Sequence, residues 1–255
     1  WNSECGAPQR FSGAQLLPLP HEQGKLSVDT VAAELIGGRG VHNTRARILS
    51  LTQPTELGTL YSLDELRTLT EFAHQHDLIV HVDGARFANA AAALDVSLAT
   101  LGPQAGVDVL SFGGTKNGLM GAEAVLIFNR NITTEAAYSR KQATQLASKM
   151  RFIAAQFIAY MDNNLWRDLA TQANAMAQRL VQHCDAIDGV ELPWSSDCNM
   201  LFPILSARAL AELHEQWYFY TWDEKLSMAR WVTSFDTTVA DVDTFATSIA
   251  TACST

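Results

Sequence analysis

Leu78-Ile79-Val80-His81-Val82-Asp83-Gly84-Ala85-Arg86 is an apolar run that stops at an aspartate and a glycine. A second run, Val107-Asp108-Val109-Leu110-Ser111-Phe112, stops in the turn Gly113-Gly114-Thr115-Lys116-Asn117-Gly118. Runs this short and apolar, closed by turn residues, read as strands buried in a sheet. Arg47–Thr52 before them reads as another buried strand, and Ala124–Phe128 after them as a further one. Ser62-Leu63-Asp64-Glu65 is a capping-box signature that opens a helix running to about His76. Leu66, Leu69, Phe72 and Ala73 supply its apolar stripe. Apolar strands alternating with amphipathic helices predict an α/β fold, with a mostly parallel sheet and helices on both faces.

Farther out the pattern changes. Gln15–Leu19 reads as a short strand, and Asp29–Ile36 as a helix stopped by Gly37-Gly38. Beyond Asn129, Thr134 to about Cys184 is helical in pattern, with a break near Asp162-Asn163-Asn164. Met200–Leu205 and Arg230–Phe235 then read as strands, Ser206–Trp217 as a helix, and Thr238-Val239-Ala240-Asp241 as the cap of a last helix to about Ala252. The expected division is a large sheet domain over 1–160 and a smaller C-terminal α+β domain over 161–255. There are no internal repeats and no low-complexity segment.

With 255 residues and 47% hydrophobic content, the chain has ample core. A net charge of −9 argues against a broad nucleic-acid or anionic-membrane surface. No run reaches the length of a membrane-spanning helix. Cys5, Cys184, Cys198 and Cys253 form no C-x-x-C pair, so they read as free thiols in a reducing cytoplasm rather than zinc ligands. The chain starts Trp1-Asn2-Ser3-Glu4-Cys5, without signal-peptide character and without Met, and enters directly into ordered sequence. That start is expected to lack an N-terminal part of the natural protein.

In α/β proteins ligands bind at the carboxyl ends of the strands. Asp83 on one such end and Lys116 on a neighbouring one match the needs of pyridoxal phosphate (PLP). A lysine forms the Schiff base, and an aspartate keeps the pyridinium nitrogen protonated so that the ring accepts electrons. Taken singly, Lys116 also reads as an exposed loop lysine, and Asp83 as a solvated turn aspartate. The glycine spacing around Lys116 does not fit a phosphate loop of the G-x-x-x-x-G-K-[ST] kind. Arg86 has the planar fork that binds a carboxylate; an ion pair with Asp83 is the plainer alternative. Arg230 suits a second carboxylate clamp from the small domain. His81 shares a strand face with Asp83, either to bond it or as a satisfied sheet histidine. Arg140-Lys141 and Lys149/Arg151 put cations on the long helical stretch, as a solvated face or a phosphate contact. Trp217-Tyr218-Phe219-Tyr220-Thr221-Trp222 reads as core or interface packing.

Together these residues resemble the L-threonine aldolase family of PLP enzymes, in the aminotransferase-like fold type I. The matching stretches are Glu4-Cys5-Gly6-Ala7-Pro8, Thr52 to Thr59, His81 to Ala90, Ser111 to Gly118, and Arg230-Trp231-Val232-Thr233-Ser234-Phe235. The resemblance implies that Lys116 carries PLP and that Asp83 pairs with its ring nitrogen. It implies that Arg86 and Arg230 hold the substrate carboxylate, and that Lys141 and Arg151 reach a neighbouring subunit's cofactor phosphate. It further implies a cytoplasmic homodimer or homotetramer with its active sites at the dimer interface. The expected reaction is retro-aldol cleavage of L-threonine, L-allo-threonine and related β-hydroxy-α-amino acids to glycine and an aldehyde. The family's phosphate-binding turn and ring-stacking histidine are not matched in this chain, and a second family histidine falls near Thr55 and Glu56. Glu56 is the candidate base for the hydroxyl proton. Another fold-type-I lyase or racemase, or a non-catalytic truncated homologue acting as a structural subunit, remain the alternatives.

Overall fold

A computed structural model describes residues 4–36 and 41–254. Two short helices, α1 (Ala7–Ser12) and α2 (Val28–Ile36), precede the sheet. The strands β1 (Ile48–Thr52), β2 (Ile79–Gly84), β3 (Val109–Gly113) and β4 (Glu123–Ile127) then form one four-stranded sheet in that order. β1, β2 and β3 run parallel, and β4 returns antiparallel to β3. Helix α3 (Leu63–Gln75) joins β1 to β2, while α4 (Phe87–Ala93) and α5 (Leu98–Leu101) join β2 to β3.

Alternation along the strands decides the two faces. On one face Leu49, Leu51, Val80, Val82, Leu110 and Phe112 are buried in the core with Leu66, Leu69 and Ala73 of α3. Each such side chain contributes roughly 1.5–3 kcal/mol through removal from water. On the other face Thr52, His81, Asp83 and Ser111 are half-buried. The register sets Asp83 between Thr52 of β1 and Ser111 of β3. The capping box is formed: Ser62 Oγ accepts from the Glu65 amide at 3.1 Å, and Glu65 Oε2 accepts from the Ser62 amide at 2.8 Å.

Helices α6 (Ala136–Gln142), α7 (Arg151–Met161) and α8 (Leu165–Asp185) follow. The expected break at 162–164 is present, with Asn163 and Asn164 at φ 49° and 59°. A second break, over 143–150, corrects the reading of this stretch as almost continuously helical. Thr144 and Lys149 there have positive φ, and residues 143–149 are all exposed. With no apolar face to bury, that piece has no tertiary packing to hold it helical.

The C-terminal part holds β5 (Met200–Leu201), α9 (Ala207–Gln216), β6 (Tyr220–Asp223), β7 (Met228–Val232) and α10 (Val239–Ser254). Its strands make an antiparallel sheet in the order β5-β7-β6. Three expectations need correction here or earlier. The strand read at Met200–Leu205 ends at Leu201, because Pro203 has no N–H to donate; only Ile204 rejoins, through isolated bridges to Glu191 and Met228. The strand read at Arg230–Phe235 lies earlier, over Met228–Val232, where it pairs with β5 and β6, and the Thr233 N–H to Asn199 O is the last bond of its ladder. Gln15–Leu19 belongs to no strand, and Pro18 cannot donate to a ladder. The Gly37-Gly38 stop lies outside the described residues. Thr238 and Asp241 cap α10 as expected.

Helix α8 belongs to both cores. Trp166 and Ala170 pack into the sheet core, whereas Met176, Ala177 and Leu180 pack with α9, β7 and α10. Arg179 makes a bidentate pair with Asp243 at 2.7 and 2.8 Å, which His183 joins at 3.0 Å, tying α8 to α10. Among the described residues no helix is long and apolar enough to cross a membrane.

Candidate active site

The ends of β2 and β3 meet because of a glycine. A Cβ at Gly113 would collide with the Ala85 backbone, so only glycine lets the two turns touch. This contact sets the Lys116 turn against the Ala85-Arg86 turn. The Lys116 turn is held from below by Asn117, whose amide donates to Trp166 O at 2.9 Å and to the Tyr160 hydroxyl. It is held from the side by Glu123, whose Oε1 accepts from the Thr115 amide at 3.2 Å. Gly118, at φ 103°, closes the turn in a conformation that side chains avoid.

Asp83 is fixed in turn. Its Oδ1 accepts from the Ala85 amide at 3.0 Å, and its carbonyl accepts from Gln53 N at 2.9 Å. Behind it on the same face, His81 is fully partnered. Nδ1 meets Ser50 Oγ at 2.8 Å, and Nε2 meets Ser111 Oγ at 2.9 Å. Burial lowers the His81 pKa, against the opposing pull of Asp83. A neutral imidazole tied to two hydroxyls is the satisfied sheet histidine, and it leaves the Asp83 carboxylate to other donors.

Arg230 arrives from the other sheet. Thr233 anchors the end of β7 by donating its hydroxyl to Ala173 O at 2.7 Å and accepting at its carbonyl from Asn199 Nδ2 at 2.7 Å. Arg230 Nη2 donates to Met200 Sδ at 3.3 Å, and its guanidinium lies 5.7 Å from the Trp222 ring centre. The loop carrying Glu56 is stitched to the same region. Trp194 Nε1 donates to Leu57 O at 2.9 Å, Asp197 Oδ2 accepts from Leu60 N at 3.0 Å, and Cys198 Sγ reaches Gly58 O at 3.4 Å.

The electrostatics show which groups share one space. Burial is the main cause that pulls the Arg86 pKa down to about 10, followed by the nearby Arg230 cation. Burial likewise lowers Arg230, which Glu56 opposes. Lys116 is lowered first by desolvation, then by Arg86; Asp83 and Glu123 resist, and Arg230 adds to the lowering. Lys116 is nonetheless an exposed residue, so its amine is open to a ligand. The structure therefore brings together Lys116, Asp83, Arg86, Arg230 and Glu56. Lys141 and Arg151 lie on α6 and at the start of α7, exposed and outside this group of interacting charges.

The Nε atoms of both Arg86 and Arg230 are buried without an acceptor. A buried guanidinium donor normally has one, and leaving it bare is costly. Among the described residues neither guanidinium forms an ion pair, so two half-buried cations beside a lysine amine of lowered pKa suit an anionic ligand. The donor set fits PLP with an amino-acid substrate: an amine for the aldehyde, a carboxylate for the ring nitrogen, and cations for anionic oxygens. Reading the sequence missed Glu123, Asn117 and Tyr160 as supports of the Lys116 turn. Asn117 stood within the quoted turn, but nothing in the sequence ties Tyr160 to it. Cys198 was read as a free buried thiol, and it is one. It also lies within electrostatic reach of both arginines, with burial pushing its pKa up to about 12.

A strand-end aspartate and lysine on an α/β sheet, facing an arginine from a smaller sheet, define a fold-type-I PLP enzyme. Comparison with known proteins narrows the class. The chain belongs to the beta-eliminating lyase family, matched over residues 1–206, and within it to the low-specificity L-threonine aldolases. It is 41% identical to the low specificity L-threonine aldolase of Pseudomonas aeruginosa over 94% of this chain and 69% of that protein. It is 40% identical to the enzyme of the same description from Pseudomonas sp., over 96% of this chain and 71% of that protein. The threonine aldolase structure from Leishmania major superposes with a TM-score of 0.90 at 30% identity, covering 97% of this chain and 73% of that one.

Proposed function

We propose that this chain is a PLP-dependent carbon–carbon lyase that cleaves L-threonine, L-allo-threonine and related β-hydroxy-α-amino acids to glycine and an aldehyde. The observation that carries the reading is the meeting of Lys116 and Asp83, at one pair of strand ends, with the half-buried Arg86 and Arg230, whose Nε atoms have no acceptor. When bound, PLP supplies an electron sink for the pair left at Cα when the Cα–Cβ bond breaks. Lys116 offers the nucleophilic amine, and its lowered pKa raises the fraction in the free-base form. Asp83 holds a proton on the ring nitrogen by charge. Arg86 and Arg230 bind the substrate carboxylate and orient the Cα–Cβ bond. Glu56, exposed and close enough to influence Arg230, takes the proton of the β-hydroxyl.

Lys141 and Arg151 serve the cofactor phosphate of a second subunit in a homodimer or homotetramer. The exposed apolar side chains Tyr138, Phe152 and Ile158 on the same two helices support that interface. The free thiols support a cytoplasmic setting. The division into a large domain over 1–160 and a small one over 161–255 has support in the two separate cores, with α8 as the connection that leaves the sheet core after Ala170 and enters the second at Met176. The deciding experiment supplies L-allo-threonine and PLP and measures glycine and acetaldehyde. Wild type should form both in equal amounts, and Lys116→Ala should lose activity by about 10⁴-fold or more. Pyruvate with ammonia, or the D-amino acid, as the product would replace the retro-aldol reading with elimination or racemisation.

A further inference from the structure

Arg230 is half-buried, yet among the described residues it forms no ion pair. Two soft groups hold its guanidinium instead. Nη2 donates to Met200 Sδ at 3.3 Å, and Cζ lies 5.7 Å from the centre of the Trp222 ring. A thioether is a weak acceptor. A cation within about 6 Å of an indole ring is attracted by the ring's quadrupole.

Trp222 owes its place to a local irregularity. Tyr220 pairs with Arg230 and Thr221 with Ala229, but Asp223 then pairs with Met228. Two residues of β6 therefore stand against one of β7, and Trp222 is the extra one. A bulge of this kind re-aims a side chain. Phe202 braces the ring edge-on, with centres 5.2 Å apart, and is itself only 2% exposed. Met200 and Phe202 belong to one small core cluster. Trp222 stays 40% exposed, so the need to bury a core side chain does not account for its position.

The choice of partners has a chemical consequence. An aspartate would also fix the arginine fork. It would occupy the N–H pairs that an incoming carboxylate needs, and it would cancel the charge. A ring and a thioether restrain the guanidinium without doing either.

We propose that Trp222 is a positioning residue, whose ring, with Met200 Sδ, holds the Arg230 guanidinium ready for the substrate carboxylate. This rests on the role given to Arg230 above.

The test compares wild type, Trp222→Leu, Arg230→Ala and the double variant, each as the whole chain with PLP. Calorimetry measures binding of L-alanine and of L-alaninol, which lacks the carboxylate. Trp222→Leu should weaken alanine about tenfold and leave alaninol unchanged. The KM for L-allo-threonine should rise about as much, with kcat within about twofold. In the Arg230→Ala background, Trp222→Leu should add less than about twofold, because its effect runs through the arginine. Trp222→Phe keeps a ring of weaker pull and should lose about threefold; it supplies the same comparison should the leucine variant not fold. A readout free of cofactor is the side-chain 15N spectrum of Arg230. Restrained rotation about Cζ–Nε should separate its Nη signals in wild type, and Trp222→Leu should merge them. Unchanged alanine binding with an unchanged Arg230 spectrum would overturn the proposal. So would an equal loss for alaninol, or a full effect without Arg230. If Arg230→Ala alone leaves alanine binding intact, the carboxylate role of Arg230 falls first. If Arg230→Ala weakens alanine and Trp222→Leu does not, only the role of Trp222 falls.

Discussion

The two sets of cations singled out in the sequence occupy very different surroundings. Arg86 and Lys116 sit on turns pressed together by Gly113, and each is shifted by desolvation and by the other charges there. Lys141 and Arg151 sit on helices beside an exposed, irregular segment over 143–149 and belong to no such group. Strand-end residues are positioned by the sheet register, which one chain completes by itself. Helix-borne cations on an open face are positioned only when something covers that face. The difference separates the chemistry that this chain carries internally from the contacts that need another surface.

Asp83→Asn probes the first set most severely after loss of Lys116. The amide keeps the bond from the Ala85 N–H but removes the negative charge at this strand end. We expect kcat to fall roughly 10²–10³-fold with the fold intact, measured as glycine formation beside an unchanged circular-dichroism melt. A loss below tenfold would break the claim that the strand-end charge is what matters.

Arg86→Ala sharpens the comparison through pH. Arg86 is the leading charge that lowers Lys116, whereas Asp83 opposes it. Removing Arg86 therefore raises the Lys116 pKa, and its labelling by acetic anhydride should need a higher pH. Asp83→Asn should move that midpoint the other way, to lower pH. Peptide mapping of the Lys116 peptide over a pH series reads both signs. Arg86→Ala should also cost roughly tenfold to a hundredfold in kcat/KM, as loss of a hydrogen bond to a charged group does.

Much of this site was legible because period-two strands closed by turn residues announce both their position and the end where ligands bind. Asp83 and Lys116 needed only that logic. Arg230 needed more, since its strand was read from Arg230 when it begins at Met228. Which strand residue faces the active site then depends on pairing with Met200 and Leu201, a long-range contact. β6 lay hidden in an aromatic run whose alternation of exposed Tyr218 and Tyr220 with inward Trp217 and Phe219 emerges only against α10. The break over 143–150 was invisible for the opposite reason. Local propensity there is helical, but no partner surface exists among the described residues to stabilise it.

The supports beneath the site give a smaller, purely structural prediction. Asn117 is buried and bonds Tyr160 and Trp166, so Asn117→Ala strands the Tyr160 hydroxyl and loosens the Lys116 turn. We expect a loss of about 1–3 kcal/mol by denaturant unfolding, with PLP uptake slowed as well. The smallest effect belongs to the exposed pair. Lys141→Ala and Arg151→Ala should change the stability of the isolated chain by no more than about 0.5 kcal/mol. If these cations meet a second subunit's phosphate, both variants should weaken PLP retention, and the deficit should appear only at protein concentrations where subunits associate. Sedimentation run in parallel with PLP release would show it. A deficit that persists in the dissociated chain would place Lys141 and Arg151 with the strand-end residues and erase the contrast between the two sets.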